Sequence, residues 1–108
     1  MLQVVTRYRV NDTDLTFRGE ASDAIAVLAG YEGFLDASVA RSVDEPQLWV
    51  LQLRWTTVGA FRRALSSFEV KVSVVPLLSR AIDEPTAFEV LHRRDADGPV
   101  DETSDLAG

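Results

Sequence analysis

Residues 48–55 read LWVLQLRW, the most apolar stretch of the chain, and no other feature narrows the choice of fold as much. In an extended strand, successive side chains point to opposite faces. Trp49, Leu51, Leu53 and Trp55 therefore share one face, while Leu48 and Val50 share the other with Gln52 and Arg54. Apolar groups on both faces predict a central strand covered on both sides. A domain built on this strand must supply two layers of cover or find one of them on another molecule.

The flanking pattern supplies the first layer. Residues 2–9, LQVVTRYR, are β-prone and predict a first strand. Asn11, Asp12, Thr13 and Asp14 then offer short oxygen side chains for a turn and a helix start. A helix is predicted over Leu15–Ala29, because Ala21, Ala24, Ile25 and Leu28 recur on one face, with Gly30 as its stop. Gly33 opens a second strand, FLDASVARS. Beyond the apolar strand, Thr56 and Thr57 can cap a helix whose inner face carries Val58, Phe61 and Leu65, with Arg62 and Arg63 outside. At 66–76 two patterns compete. Phe68, Val70, Val72 and Val74 alternate as in a strand, yet Ser66 and Glu69 fit a capping box. The expected outcome is a short helix ending before Pro76, and TAFEVLH (86–92) is expected as the last strand. This order, βαββαβ, predicts an α+β, ferredoxin-like split βαβ fold with a four-stranded antiparallel sheet. Its helices lie on one face, and Leu48 and Val50 are left on the bare one.

Asp-Glu-Pro occurs twice, at 44–46 and 83–85, each time ahead of a strand. The two strands are not equivalent under a duplication of the split βαβ unit. Proline lacks an N–H and biases the preceding residue to an extended conformation, so it suits the first residue of a strand. The triplets are read as turns, not as a catalytic carboxylate pair.

With 108 residues the chain is one domain. Its net charge of −6 leaves no basic stripe, which argues against a nucleic-acid partner. Residues 93–108 hold two arginines against five acids, and an acidic, disordered tail is expected there, following a domain at 1–92. No apolar run approaches the length of a membrane span, and the N-terminus lacks a signal-peptide pattern, so a cytoplasmic location without membrane contact is expected. The absence of cysteine removes disulfides, thiolate metal sites and cysteine nucleophiles. No glycine-rich phosphate loop or zinc-binding histidine motif is present, and the single His92 cannot form a multi-histidine site. The aromatic residues Trp49, Trp55, Phe61 and Phe68 are concentrated in and after the apolar strand. They form core, or they line a pocket in which an indole N–H needs a partner.

Residues 33–91 resemble the antibiotic biosynthesis monooxygenase (ABM) domain family, a likeness that spans about residues 2–92. It rests on Glu32-Gly33-Phe34 at the start of the second strand. It rests also on the run from Trp55 through Thr56, Thr57, Val58 and Gly59 to Ala60-Phe61-Arg62. The resemblance implies a dimeric α+β barrel, in which two sheets pack by their bare faces and so cover Leu48 and Val50. It implies a homodimer that binds a small hydrophobic or aromatic ligand and, if it is an enzyme, a cofactor-independent monooxygenase acting on anthrones or quinols. The family's catalytic Trp matches Trp55, while its Asn and Tyr positions hold Leu51 and Phe61. Trp55 is thus the expected catalytic residue, and Trp49, Leu51, Phe61, Phe68 and Tyr8 are the expected pocket, with Tyr8 or Arg54 as polar contacts. The family's haem-degrading style is not implied, because Val74, Ala64 and Arg7 or Tyr8 stand where its functional residues would be. No cofactor and no metal are expected. The alternative is a binding or accessory domain that has lost the oxygenase residues.

Overall fold

A computed structural model describes residues 1–106. The elements run β1 (Leu2–Arg9), α1 (Phe17–Leu28), β2 (Phe34–Arg41), β3 (Leu48–Trp55), α2 (Val58–Ser66), α3 (Phe68–Ser73), α4 (Val75–Leu78), β4 (Ala87–Glu89), β5 (His92–Asp95) and β6 (Gly98–Asp101). The first four strands make one antiparallel sheet in the order β2-β3-β1-β4, as the split βαβ pattern predicts. The sheet is open, so one chain does not close the barrel that the resemblance implies. No helix among the described residues is long and apolar enough to cross a membrane.

Alternation decides which face is buried. Leu2, Val4, Thr6 and Tyr8 of β1 and Leu51, Leu53 and Trp55 of β3 point inward and are buried. They meet Phe17, Ala21, Ala24 and Leu28 of α1, Ala60, Phe61 and Ala64 of α2, and Val70 and Val74 of α3. The alanines let the helices approach the sheet closely, so aromatic and leucine side chains fill the remaining volume.

Several local expectations shift for identifiable reasons. Helix α1 starts at Phe17, not Leu15, and Leu15 is 90% exposed. The Asp14 carboxylate accepts from the amide and hydroxyl of Thr16 and so fixes the turn just before the helix. Thr57 caps α2 as expected, accepting from the Ala60 amide at 3.1 Å. The helix at 66–76 forms, but its cap is Ser67 and not Ser66. Ser67 has extended backbone and accepts from the Val70 amide, whereas the Ser66 hydroxyl donates to the Arg63 carbonyl. Pro76 does not end the helical path; it sits in the first turn of α4, where its missing N–H costs nothing.

The last strand is shorter than expected. β4 pairs with β1 only from Ala87 opposite Val4 to Glu89 opposite Leu2, and the Val90 amide then closes on the Met1 carbonyl. From there the chain pairs with itself. Within the segment expected to be a disordered tail, residues 93–101 instead form a hairpin of β5 and β6, with His92 opposite Asp101 and Asp95 opposite Gly98. Charges in this acidic segment are partnered: Arg93 reaches Glu102 across the hairpin at 2.8 Å and Asp95 on its own strand at 3.2 Å. The turn uses Gly98 at φ 123°, a conformation that favours glycine. The last two residues of the expected tail, 107–108, lie outside the described residues.

Gly33 is the second residue whose backbone demands glycine, at φ 91°. A Cβ there would come within 2.4 Å of the Ala60 Cβ and 2.9 Å of the Thr56 Oγ1. Left-handed strain and overpacking together make Gly33→Ala cost roughly 2–4 kcal/mol. A urea unfolding midpoint unchanged by that substitution would contradict the close approach of β2 to α2.

Ion pairs set the low-pH behaviour. Hydrogen bonds from Arg54 to Asp36, from Arg80 to Glu20 and from Arg7 to Glu84 are the largest cause holding those three carboxyls below their ordinary range. A depressed folded-state pKa gives stability that is fully present above the unfolded value, near pH 4, and lost as pH falls through the folded value. All three pairs are partly exposed, so each effect is small. The urea midpoint is expected to hold from pH 7 to about 5 and to fall below about 4. Asp36→Asn should reduce that fall, and an equal fall in the variant would remove Asp36 from the account.

Candidate functional site

Trp55 ends β3 with its side chain fully buried on the helix-covered face. Phe34 meets the indole edge-on at 5.5 Å between centroids, and Phe61 of α2 lies tilted at 5.6 Å. The indole Nε1–H has no hydrogen-bond partner. Leu51 lies on the same face four residues earlier, directly opposite Thr6 of β1. The buried Thr6 hydroxyl donates to the Leu51 carbonyl at 3.4 Å, a long bond. Trp55, Leu51 and Phe61 thus share the inner, apolar side of β3 and α2.

Tyr8 and Trp49 form a different cluster. They face each other across β1 and β3, and Phe17 of α1 links them, 4.9 Å from Tyr8 and 5.4 Å from Trp49. The Tyr8 hydroxyl is also buried without a hydrogen-bond partner. Burial raises its pKa, partly offset by the nearby Thr6 hydroxyl and the charge of Arg80. Trp49 and Trp55 share a face but are six residues apart, about 20 Å along a strand at roughly 3.3 Å per residue. The residues expected to share a single pocket therefore fall into two separate clusters. Phe68 belongs to neither, since it is the first residue of α3 and 83% exposed. The alternation that grouped it with Val70 and Val74 is helical here, and only Val70 and Val74 turn inward.

Leu51, Trp55 and Phe61 line none of five clefts on the surface of the described residues. One of about 600 Å³ lies on the bare sheet face beside the hairpin, lined by Gln3, Asp36, Ser38, Gln52, Arg54 and His92 among others. Arg54 does face this side, as expected, but its guanidinium is held by Asp36, with Nε 2.8 Å from Oδ1. Trp49 lines two smaller clefts, of about 260 and 330 Å³.

The Asp-Glu-Pro turns carry a role that the sequence did not reveal. Glu45 pairs with Arg9 at 2.8 Å, and Glu84 grips Arg7 with both oxygens at 2.6 and 2.8 Å. Both arginines lie on the bare side of β1, so each triplet delivers a carboxylate to the sheet. These pairs join residues 36 and 77 positions apart, a separation no local pattern encodes. The bare face therefore combines apolar Val5, Ala40, Leu48, Val50 and Phe88 with arginines that already have partners.

Comparison with known proteins places this architecture. The structure of SnoaB, a cofactor-independent oxygenase from Streptomyces nogalater, aligns with a TM-score of 0.71 at 24% identity, covering 88% of this chain and 95% of that one. An asparagine-to-alanine variant of SnoaB aligns at 25% identity with a TM-score of 0.71, covering 82% and 91% of the two chains. A conserved protein from Methanosarcina mazei aligns with a TM-score of 0.65 at 22% identity, over 81% of this chain and 89% of that one. A search of curated proteins gives no match. The antibiotic biosynthesis monooxygenase family profile matches residues 1–74, and the chain belongs to that family.

Proposed function

We propose that this protein is a homodimer that binds a small aromatic or polyketide-like compound at Trp55 and oxidises anthrone- or quinol-type substrates with dioxygen and no cofactor. The observation that carries the reading is the Trp55 indole N–H, fully buried and unpartnered. A buried donor left unpaired costs roughly 1–3 kcal/mol, and a ligand oxygen accepting from it would remove that cost. Phe34 and Phe61 beside it suit the faces and edges of a planar ring. None of those five clefts reaches Trp55, so in this reading a ligand enters by displacing Phe61 and the start of α2. The cofactor-independent oxygenase SnoaB shares the fold and lends the reaction class its support.

The chemistry balances without an added reductant. The methylene of an anthrone becomes a carbonyl; one oxygen atom of dioxygen enters the product, and the other leaves as water with the two displaced hydrogens. The substrate supplies every electron. Trp55 would donate to the substrate oxygen as negative charge develops there, in surroundings dry enough for that bond to count.

The homodimer accounts for the bare face. Its arginines pair within one chain, Arg7 with Glu84, Arg9 with Glu45 and Arg54 with Asp36, so covering it strands none of these charges. One observation favours binding without catalysis: neither Leu51 nor Phe61 carries a polar group, and the Thr6 hydroxyl is already committed to the Leu51 carbonyl. Neither position then supplies a base for the substrate at Trp55.

Two-dimensional NMR of the two indole N–H groups tests the binding site. Under anaerobic titration with 1,8-dihydroxyanthrone, the Trp55 signal is expected to move downfield and saturate, with Trp49→Phe confirming the assignment. A Trp55 signal that stays in place would sink the site.

A further inference from the structure

We infer that the cleft beside Trp49 is a second small-molecule site, separate from the one at Trp55, and that it takes a planar aromatic monocarboxylate. It lies where the start of α1 meets the β2–β3 turn, at the end of β3 away from Trp55, and its volume is about 260 Å³. Trp49 is half-buried and is its only aromatic wall. The indole is held edge-on by Phe17, and Phe17 is backed by Tyr8, so a row of three rings anchors the wall to the core. A ligand that stacks on a ring already fixed loses less freedom on binding than one that must order a mobile side chain.

Charge selects the class of ligand. The chain has seventeen acids and eleven bases. Arg7, Arg9, Arg54, Arg80 and Arg93 all hold carboxylates. Arg18 and Arg41 both line this cleft, and among the described residues neither has an acidic oxygen within 4.0 Å. The Arg41 guanidinium lies over the indole ring, 5.6 Å from its centroid, which places a forked donor against the aromatic wall. Asp12 and Asp14 line the cleft too, but their oxygens serve the loop. Asp12 accepts from the Gln47 side chain at 3.1 Å, and Asp14 accepts from the amide and hydroxyl of Thr16. Those bonds are the main cause holding Asp14 below the usual carboxylate range, so it stays charged.

Two cations and two anions therefore share the cleft. A single carboxylate finds an unclaimed arginine fork there, while a phosphate or another multiply charged group meets the two aspartates. The rim carries Leu15, a leucine 90% exposed, which gains cover when a ring lies across the mouth. Ring, rim and fork together describe an aromatic acid with its ring on Trp49 and Leu15 and its carboxylate toward Arg41 and Arg18.

The test is a titration of the full chain with 2-naphthoate, followed by NMR at the Trp49 indole N–H and the arginine side chains. The neutral isostere 2-naphthalenemethanol serves as control. Saturable shifts are expected at Trp49 and Arg41, with Trp55 unmoved. Affinity should fall about tenfold in Arg41→Gln and severalfold in Arg18→Gln, and the alcohol should bind about tenfold more weakly. Both arginines are exposed, so the variants keep the dispersed spectrum of the parent. Equal affinity for the alcohol, affinity unchanged in both variants, or no saturation at millimolar naphthoate would each overturn the assignment. The outcome at Trp55 with anthrone is read separately, so either site can fail alone.

Discussion

Aspartate placed at both Leu48 and Val50 is expected to leave a folded monomer in place of the dimer proposed for the parent chain. Both residues lie on the outer face of β3, half-buried, with no helix above them. Val50 pairs in register with Arg7 of β1 and Ala40 of β2, in the middle of the bare sheet. Two sheets packed by these faces would bury four new carboxylates per dimer. Each would be an unpaired charge taken out of water, and breaking the balance of a buried charge costs on the order of 3–5 kcal/mol. Their sum exceeds what a modest interface supplies. The core is untouched because it lies on the other face, so circular dichroism should show the parent fold. Light scattering on an eluting column checks the mass. A double variant that still elutes as a dimer would move the interface elsewhere, and the exposed Phe68 and Val72 of α3 would be the next surface to test.

Trp55 gives the second large effect, and two substitutions separate its parts. Trp55→Ala removes the largest fully buried side chain and opens a void between Phe34 and Phe61, at a cost of about 3–5 kcal/mol. Trp55→Phe keeps a ring in place and removes the N–H. Since that N–H has no partner, its loss forfeits no hydrogen bond and relieves a desolvated donor, which offsets the smaller ring volume. The phenylalanine variant is expected to be less stable than the parent by no more than about 1.5 kcal/mol, yet to lose anthrone binding. Urea unfolding measures the first and the NMR titration the second. If Trp55→Phe destabilises as much as Trp55→Ala, the N–H has a partner in the folded protein, and the case for a ligand there collapses.

What could be read from the sequence was what strict periodicity encodes. The two-faced apolar pattern of 48–55 gave the central strand its ends to the residue, and Thr57 marked the cap of α2. The bare face, with Leu48 and Val50 on it, followed from the same alternation. Proximity did not follow. Trp49 and Trp55 share a face by parity, yet strand length keeps them apart, and Phe68 alternates with buried valines only until the helix turns it outward. At the C-terminal end, charge outweighed turn chemistry. Asp97-Gly98 is a strong hairpin signal, and acids around it find partners across the hairpin, Glu102 at Arg93 and Asp101 at the His92 ring. The Arg7–Glu84 and Arg9–Glu45 pairs depend on the register of β1 against distant turns, and no window of the sequence contains both partners.

Oxygen consumption tests the central claim most directly. The full chain, with a chelator present and no added cofactor, would be mixed with 1,8-dihydroxyanthrone in an oxygen-electrode cell beside the Trp55→Phe variant. The account predicts protein-dependent uptake of one dioxygen per quinone formed, abolished in the variant while its fold is retained. Uptake no faster than the spontaneous rate, from protein that still shifts its Trp55 signal with anthrone, would contradict the oxygenase and leave a binding protein.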